Sequence, residues 1–354
     1  MQRNAPVPAD RQIWIDVLRG ASGLLVMMAH AQYFARDAAG PAWAAAQDTL
    51  LLTLVVKLNL IMSPLRMELM FLLSGMFVAH SLAKGPRRYL AGKLNHVVYP
   101  FVVWSLLNFA LRESGSVLFK GEPVAWGNLA ELLLGHAPPT WFLFDLALFF
   151  LVAPWLRRLP LWGVLPALVG LSLLVHALGD ARYADLFYYL AYFLCGDALV
   201  RKGRDLSRET RPWVLAGSAL CLVAIAVLAT QARMDKTWVG YLPLVLGALP
   251  SVAVMAAAVA RTPLSRPLAY VGRNAVVFFV VHFTAFIALV PVLERFTRNG
   301  ITLFVLLVLA GIALPLLLCV LRRRTGLQWI DLLFSADLLL SRRRRRATGL
   351  VDVA

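Results

Sequence analysis

Ten stretches between residues 14 and 321 are each long and apolar enough to cross a lipid bilayer, and nothing else in the chain restricts its fold as strongly. They lie near residues 14–34, 66–83, 94–111, 141–157, 161–179, 183–200, 213–231, 238–260, 270–293 and 300–321. Inside the hydrocarbon core every backbone N–H and C=O must be satisfied by the segment itself or its neighbours. The predicted fold class is therefore an all-α polytopic membrane protein with about ten transmembrane helices. Composition agrees: 60% of the 354 residues are hydrophobic and 15% charged, too few for the polar surface of a soluble domain of this size. Residues 47–63, "QDTLLLTLVVKLNLIMS", form one further apolar run, and Pro64 closes it, which predicts an interfacial or re-entrant helix rather than an eleventh span.

Charge orients the spans. The net charge of +16 is that of a nucleic-acid binder in a soluble protein, but here its distribution carries the information. With the N-terminus inside, "AKGPRRYLAGK", "RKGRDLSRETR", "ARTPLSRP" and the tail "SRRRRRATG" share one side, which then holds about 24 of the 35 Lys and Arg residues. Both termini are expected to be cytoplasmic. Basic residues ahead of the first apolar run imitate a signal peptide, yet Asp16 and Arg19 interrupt the start of that run, so it reads as a retained first helix. The chain divides into a membrane domain, residues 1–325, and an amphipathic, basic tail, residues 326–354, expected to lie on the inner leaflet and bind anionic lipid rather than nucleic acid. Cys195, Cys221 and Cys319 all fall in apolar segments without metal-ligand spacing, which points to packing; no metal site is predicted.

Ionisable residues inside spans are costly, about 2.5–3.5 kcal/mol each on insertion scales, and therefore point to function. In "RGASGLLVMMAH" His30 stands eleven positions after Arg19. At about 100° per residue that is about 20° past three whole turns, so both share one helix face about 16 Å apart. Asp16 lies one turn before Arg19 and can pair with it. A neutral imidazole can accept a proton, and a guanidinium can hold phosphate or carboxylate oxygens in a fork. The pair reads equally well as chemistry or as a packed histidine with a snorkelling arginine. "SPLRMELMFLLSGMFVAHS" places Arg66 and Glu68 near a helix start, with Ser74 further in. Glu68 is an acid–base candidate, or it neutralises Arg66. "PPTWFLFDLALFF" puts Asp145 one turn after Trp141, and "VGRNAVVFFVVHF" carries Asn274 with His282 eight residues on, nearly the same face of one helix.

Taken in order, these segments resemble the acyltransferase-3 family of bacterial integral-membrane acyltransferases. "WIDVLRGASGLLVMMAH" is similar to that family's Asp, Arg, ten residues, His signature, and "RMELMFLLSGMFV" to its second-helix signature of arginine, aromatics and Ser-Gly; "TWFLFDLALFF" and "GRNAVVFFVVHF" match later helices in position and character. The resemblance covers about residues 13–321. It implies transfer of an acyl group from cytoplasmic acyl-CoA, the donor substrate, to a hydroxyl of a glycan or glycolipid at the outer face of the bacterial inner membrane, with no bound cofactor. By position His30 is then the catalytic base, Arg19 its partner on the donor path and Arg66 the second-helix arginine. The family's Arg-x-x-Arg pair is replaced here by Lys93 and His96, and Arg87 and Arg88 stand nearby as alternative phosphate contacts. The spacing to Pro100 and the long loop before "TWFLF" look like the glucan succinyltransferase branch. Within this reading Asp16 and Glu68 join Arg19 and His30 as catalytic candidates. Arg66, Ser74, Arg87, Arg88, Lys93, His96, Trp141, Asp145, Asn274 and His282 are candidates for substrate binding. Two readings from other classes stay open on the residues alone: a proton-coupled secondary transporter, which also uses intramembrane His, Asp and Arg, and a polysaccharide export subunit without chemistry of its own.

Overall fold

A computed structural model describes residues 9–46, 49–231, 234–324 and 327–337. Among the described residues all regular structure is helical. In chain order the helices are α1 (Ala9–Ala39), α2 (Pro41–Ala46), α3 (Leu50–Gly75), α4 (Val78–Leu82), α5 (Pro86–Lys93), a π-helical turn (Leu94–Val98), α6 (Tyr99–Lys120), α7 (Gly127–Leu133), α8 (Trp141–Leu156), α9 (Leu161–Ala177), α10 (Ala181–Arg201), α11 (Pro212–Thr230), α12 (Tyr241–Ala260), α13 (Ser265–Arg273), α14 (Ala275–Leu293) and α15 (Gly300–Leu321), followed by a 3₁₀ segment (Gln328–Leu333). Among the described residues seven helical stretches are long and apolar enough to span a bilayer, and α8 and α9 are shorter apolar helices. The chain is a multi-pass, all-helical membrane protein.

Four expectations are corrected. Residues 47–63 do not form a separate helix ended by Pro64, because α3 runs from Leu50 to Gly75 straight through the proline. Pro64 has no N–H to give the carbonyl of residue 60, but the Ser63 hydroxyl donates to Leu60 O at 2.9 Å and satisfies it. The span expected over 270–293 is two helices, broken at Asn274. The loop expected over 112–140 is largely helical, since α6 continues to Lys120 and α7 follows. The tail does not begin as an amphipathic helix: the 3₁₀ segment is tied down by Tyr99 Oη donating to Leu332 O at 2.8 Å and Trp104 Nε1 donating to Leu333 O at 2.8 Å. The five-arginine run lies outside the described residues.

The chain packs as two compact units. The first holds the residues up to Ala79, Ala153–Ala275 and Arg298–Phe304; the second holds His80–Val152, Val276–Thr297 and the residues from Val305 on. In the first unit two helix crossings are so close that backbone meets backbone. A Cβ on Gly20 would overlap Leu268 O, and one on Gly272 would overlap Asp16 O, so α1 and α13 touch through reciprocal glycines. The same holds for α3 and α10, where Gly75 lies against Phe193 O and Gly196 against Leu72 O. Gly75 is thus the glycine of the Ser-Gly signature, and its role is to let α10 approach. Gly75→Ala is expected to destabilise the protein by about 1–3 kcal/mol or more, because neither opposing atom is a side chain that can turn away. Gly217→Ala, with open space around it, is the control. Thermal melting of both in detergent checks this: equal midpoints would contradict the crossing.

Beyond α10 the connection to α11 carries an ion pair, Arg211 Nη2 to Glu209 Oε2 at 2.6 Å. Hydrogen bonds from the Arg211 guanidinium, and then from its backbone N–H, pull the Glu209 carboxyl down to about 2 from its ordinary 4.5. A depressed folded value means that the contribution is whole above pH 4.5 and is lost as pH falls through about 2. The Thr210 and Arg211 amides, both donors to Glu209 Oε1, are expected to keep their hydrogen-exchange protection from pH 8 to 5 and to lose it only between about 4.5 and 2.

Candidate active site

The first helix keeps the geometry read from its spacing. α1 is continuous from Ala9 to Ala39, so Arg19 and His30 share a face over three turns, and both are part-buried. The Arg19 guanidinium stands over the Phe77 ring, 4.6 Å from its centroid. Asp16 meets a partner from another helix, Arg273 Nη1 at 3.6 Å, with Arg19 also within its electrostatic reach. The glycine crossing of α1 with α13 brings Arg273 there, a contact that spacing along α1 cannot reveal.

Arg66 is buried on α3, and its Nη1 donates to Asn59 O at 3.4 Å. The Asn59 side-chain amide in turn donates to Gln32 Oε1 on α1. This chain, Arg66–Asn59–Gln32, was missed from sequence. Its signal was present: two uncharged amides inside apolar runs, in "VKLNLIM" and "HAQYF". Gln32 lies two residues past His30 and so about 200° around the helix. The hydrogen-bonded tie between α1 and α3 is therefore on the other side of α1 from His30.

Glu68 does not neutralise Arg66. Residues i and i+2 lie on opposite sides of a helix, and Glu68 turns instead to α10. It is fully buried, and neither carboxylate oxygen meets a donor at full hydrogen-bond geometry among the described residues. Its polar surroundings are the Tyr188 and Tyr192 hydroxyls, 3.0 Å from each other, with Lys236 and Arg66 acting at longer range. Phe71 stacks on Tyr189 at 4.7 Å and closes the apolar side. The Ser74 hydroxyl donates to Met70 O at 2.7 Å in its own helix. Asn274, at the break after α13, donates to Tyr270 O at 2.9 Å. Because the helix breaks there, its eight-residue spacing to His282 no longer sets a common face.

The remaining candidates lie in the second unit. Arg87 and Arg88 are exposed on α5. Lys93 is not with them: its ammonium sits 3.6 Å from the Phe150 ring centroid and reaches Ser81 Oγ at 3.4 Å. His96 faces the C-terminal segment, with Nε2 3.9 Å from Asp337 Oδ2, next to the Asn95–Asp337 hydrogen bond. Trp141 is part-buried at the start of α8, and Asp145 is fully buried one turn on. His282 is 1% exposed, with Nδ1 2.6 Å from Phe278 O and the rings of Phe279, Phe283 and Phe286 around it. That is the environment of a packed core histidine.

Compared with known families, residues 12–321 match the profile of Acyl_transf_3, described as an acyltransferase domain. The chain belongs to this family. It is a membrane O-acyltransferase, since the family acts on hydroxyl groups, and membership decides against the transporter and the non-catalytic export subunit. No curated protein and no solved structure matches it. The match takes in α1 through α15, so both Arg19 and His30 and the Ser74-Gly75 pair of this acyltransferase lie inside the matched region.

Proposed function

We propose that this acyltransferase takes an acetyl or succinyl group from cytoplasmic acyl-CoA and passes it to a hydroxyl of a glycan or glycolipid at the outer face of a bacterial inner membrane. One observation supports the reading above the rest: α1 is unbroken, so it holds an anion-binding arginine near one end and a proton acceptor three turns deeper on the same face. His30 takes the proton of the acceptor hydroxyl as its oxygen attacks the thioester carbonyl. The C–S bond then breaks, coenzyme A leaves as the thiolate, and the proton held on His30 returns to it. Arg19 anchors a phosphate or carboxylate of the donor in its fork. Asp16 and Arg66 are positioning residues, the first against α13 through Arg273 and the second holding α1 through Asn59 and Gln32.

The topology that goes with this reading has ten spans: the seven long stretches, α8, α9 and the 21-residue α10. An even number returns the C-terminus to the side of the N-terminus, and the positive-inside rule makes that side cytoplasmic. The experiment is mass spectrometry of surface glycans from cells with and without the chain. A glycan that loses one acyl increment on deletion identifies acyl group and acceptor together. Unchanged glycans and lipids in the deletion strain would overturn the assignment.

A further inference from the structure

The first unit contains a second polar site that this chemistry does not use. Where α1 begins, where α10 gives way to its connection and where α12 ends, the chain encloses a cavity of about 300 Å³. Trp14 comes from α1, Asp205, Ser207 and Arg208 from the connection, and Arg261 from the end of α12, with Ile13 and two alanines completing the wall. Two arginines face one carboxylate, so the wall is cationic. That carboxylate is already committed. Asp205 accepts from the Ser207 N–H at 3.3 Å and hydroxyl at 2.6 Å, and it holds Arg208 through Nε at 3.4 Å. The Arg208 side chain is 72% exposed, and its two terminal nitrogens remain donors.

Trp14 supplies an independent observation. It is 7% exposed, and its indole N–H has no acceptor among the described residues. A buried donor left unmet is unfavourable and calls for an acceptor. The same indole borders a second cavity of only about 20 Å³, room for one water-sized group, lined by Arg204 as well as by apolar side chains such as Leu18, Leu72 and Leu249. A cationic chamber at the end of the helices thus adjoins a small, mostly apolar one deeper in the unit, with Trp14 common to both. A cavity of about 300 Å³ is at the lower end of small-molecule sites and suits a compact anionic group.

We propose that this cavity binds a phosphate group between Arg208 and Arg261. Phosphate oxygens match the planar guanidinium fork and are acceptors only, as an unmet N–H requires. The same chemistry has two sources, the headgroup of an anionic lipid and the phosphates of coenzyme A. The coenzyme A source rests on the acyl donor proposed above; the lipid source does not.

The test uses the full chain in phosphatidylcholine nanodiscs and compares R208Q/R261Q with the charge-matched control R112Q/R298Q, which alters exposed arginines elsewhere. Two probes are measured: coenzyme A by titration calorimetry and phosphatidylglycerol by native mass spectrometry of retained lipid. Wild type and control are expected to bind at least one probe, and R208Q/R261Q to bind it roughly tenfold or more weakly with a shallower salt dependence. Loss confined to phosphatidylglycerol identifies a lipid site, and loss confined to coenzyme A identifies a donor site. Should the double variant fail to elute as a folded species, the single R261Q variant replaces it, with a loss of several-fold expected. Binding equal to wild type within about twofold for both probes, or no binding of either probe by wild type, would overturn the proposal.

Discussion

Replacing His30 by alanine is expected to lower acyl transfer by about 10²–10⁴-fold, the usual contribution of a positioned general base, with little change in the amount of folded protein. His30 is part-buried rather than enclosed, and two contacts that fix α1 do not involve its imidazole: the Gly20–Gly272 crossing with α13 and the Gln32–Asn59 tie to α3. Removing the imidazole leaves both in place. His30→Gln separates the two possible roles of the ring. Glutamine keeps a polar side chain of similar reach but cannot take up a proton near neutral pH, so a base loses as much activity with glutamine as with alanine, whereas a merely structural hydrogen bond is partly restored. The readout is release of free coenzyme A thiol from acyl-CoA in membranes, normalised to folded protein by gel filtration. Full turnover in His30→Ala would remove His30 from the mechanism and leave family membership untouched.

How much of this was legible in the chain depends on the range of the interaction. The apolar runs follow from local composition, and seven helical stretches long and apolar enough to span stand among the described residues, because a bilayer leaves a long apolar segment few other options. The shared face of Arg19 and His30 needs only an unbroken α1, and that too is a local property. Pro64 misled because its effect depends on a neighbour: Ser63 satisfies the carbonyl that the proline abandons. Asn274 misled in the opposite sense: Gly272, Arg273 and Asn274 interrupt the apolar run only briefly, yet the helix breaks there. The ion partner of Asp16, the turn of Glu68 toward the tyrosines of α10 and the Asn59–Gln32 bond are all contacts between helices, set by which faces pack. Glycines mark those faces. Gly75 reads as a motif residue in the sequence and Gly20 as part of a spacer, but each is the point where a second backbone passes.

Asp197→Ala is expected to cost about 3–5 kcal/mol of stability, the loss that follows when one partner of a buried ion pair is removed, here the buried carboxylate shared by two arginines. Asp197 is fully buried on α10, with Oδ2 accepting from Arg201 Nε at 2.8 Å and Oδ1 3.2 Å from Arg157 Nη2, just past the end of α8. The Asp197 side chain is 1% exposed and that of Arg157 17%, so water screens their pairing poorly. Arg201 is 37% exposed and retains water as an alternative partner, so Arg201→Ala is expected to cost less, within about 1 kcal/mol. Arg157→Ala leaves Asp197 with one cation and should fall between the two. A double-mutant cycle between Arg157 and Asp197, read from denaturation in detergent, separates the coupling from the individual losses. A coupling near zero would show that burial rather than pairing holds this end of α10. A large one would make the two arginines and their shared carboxylate the clamp that keeps Gly196 against Leu72, and with it the α3–α10 crossing that carries Glu68.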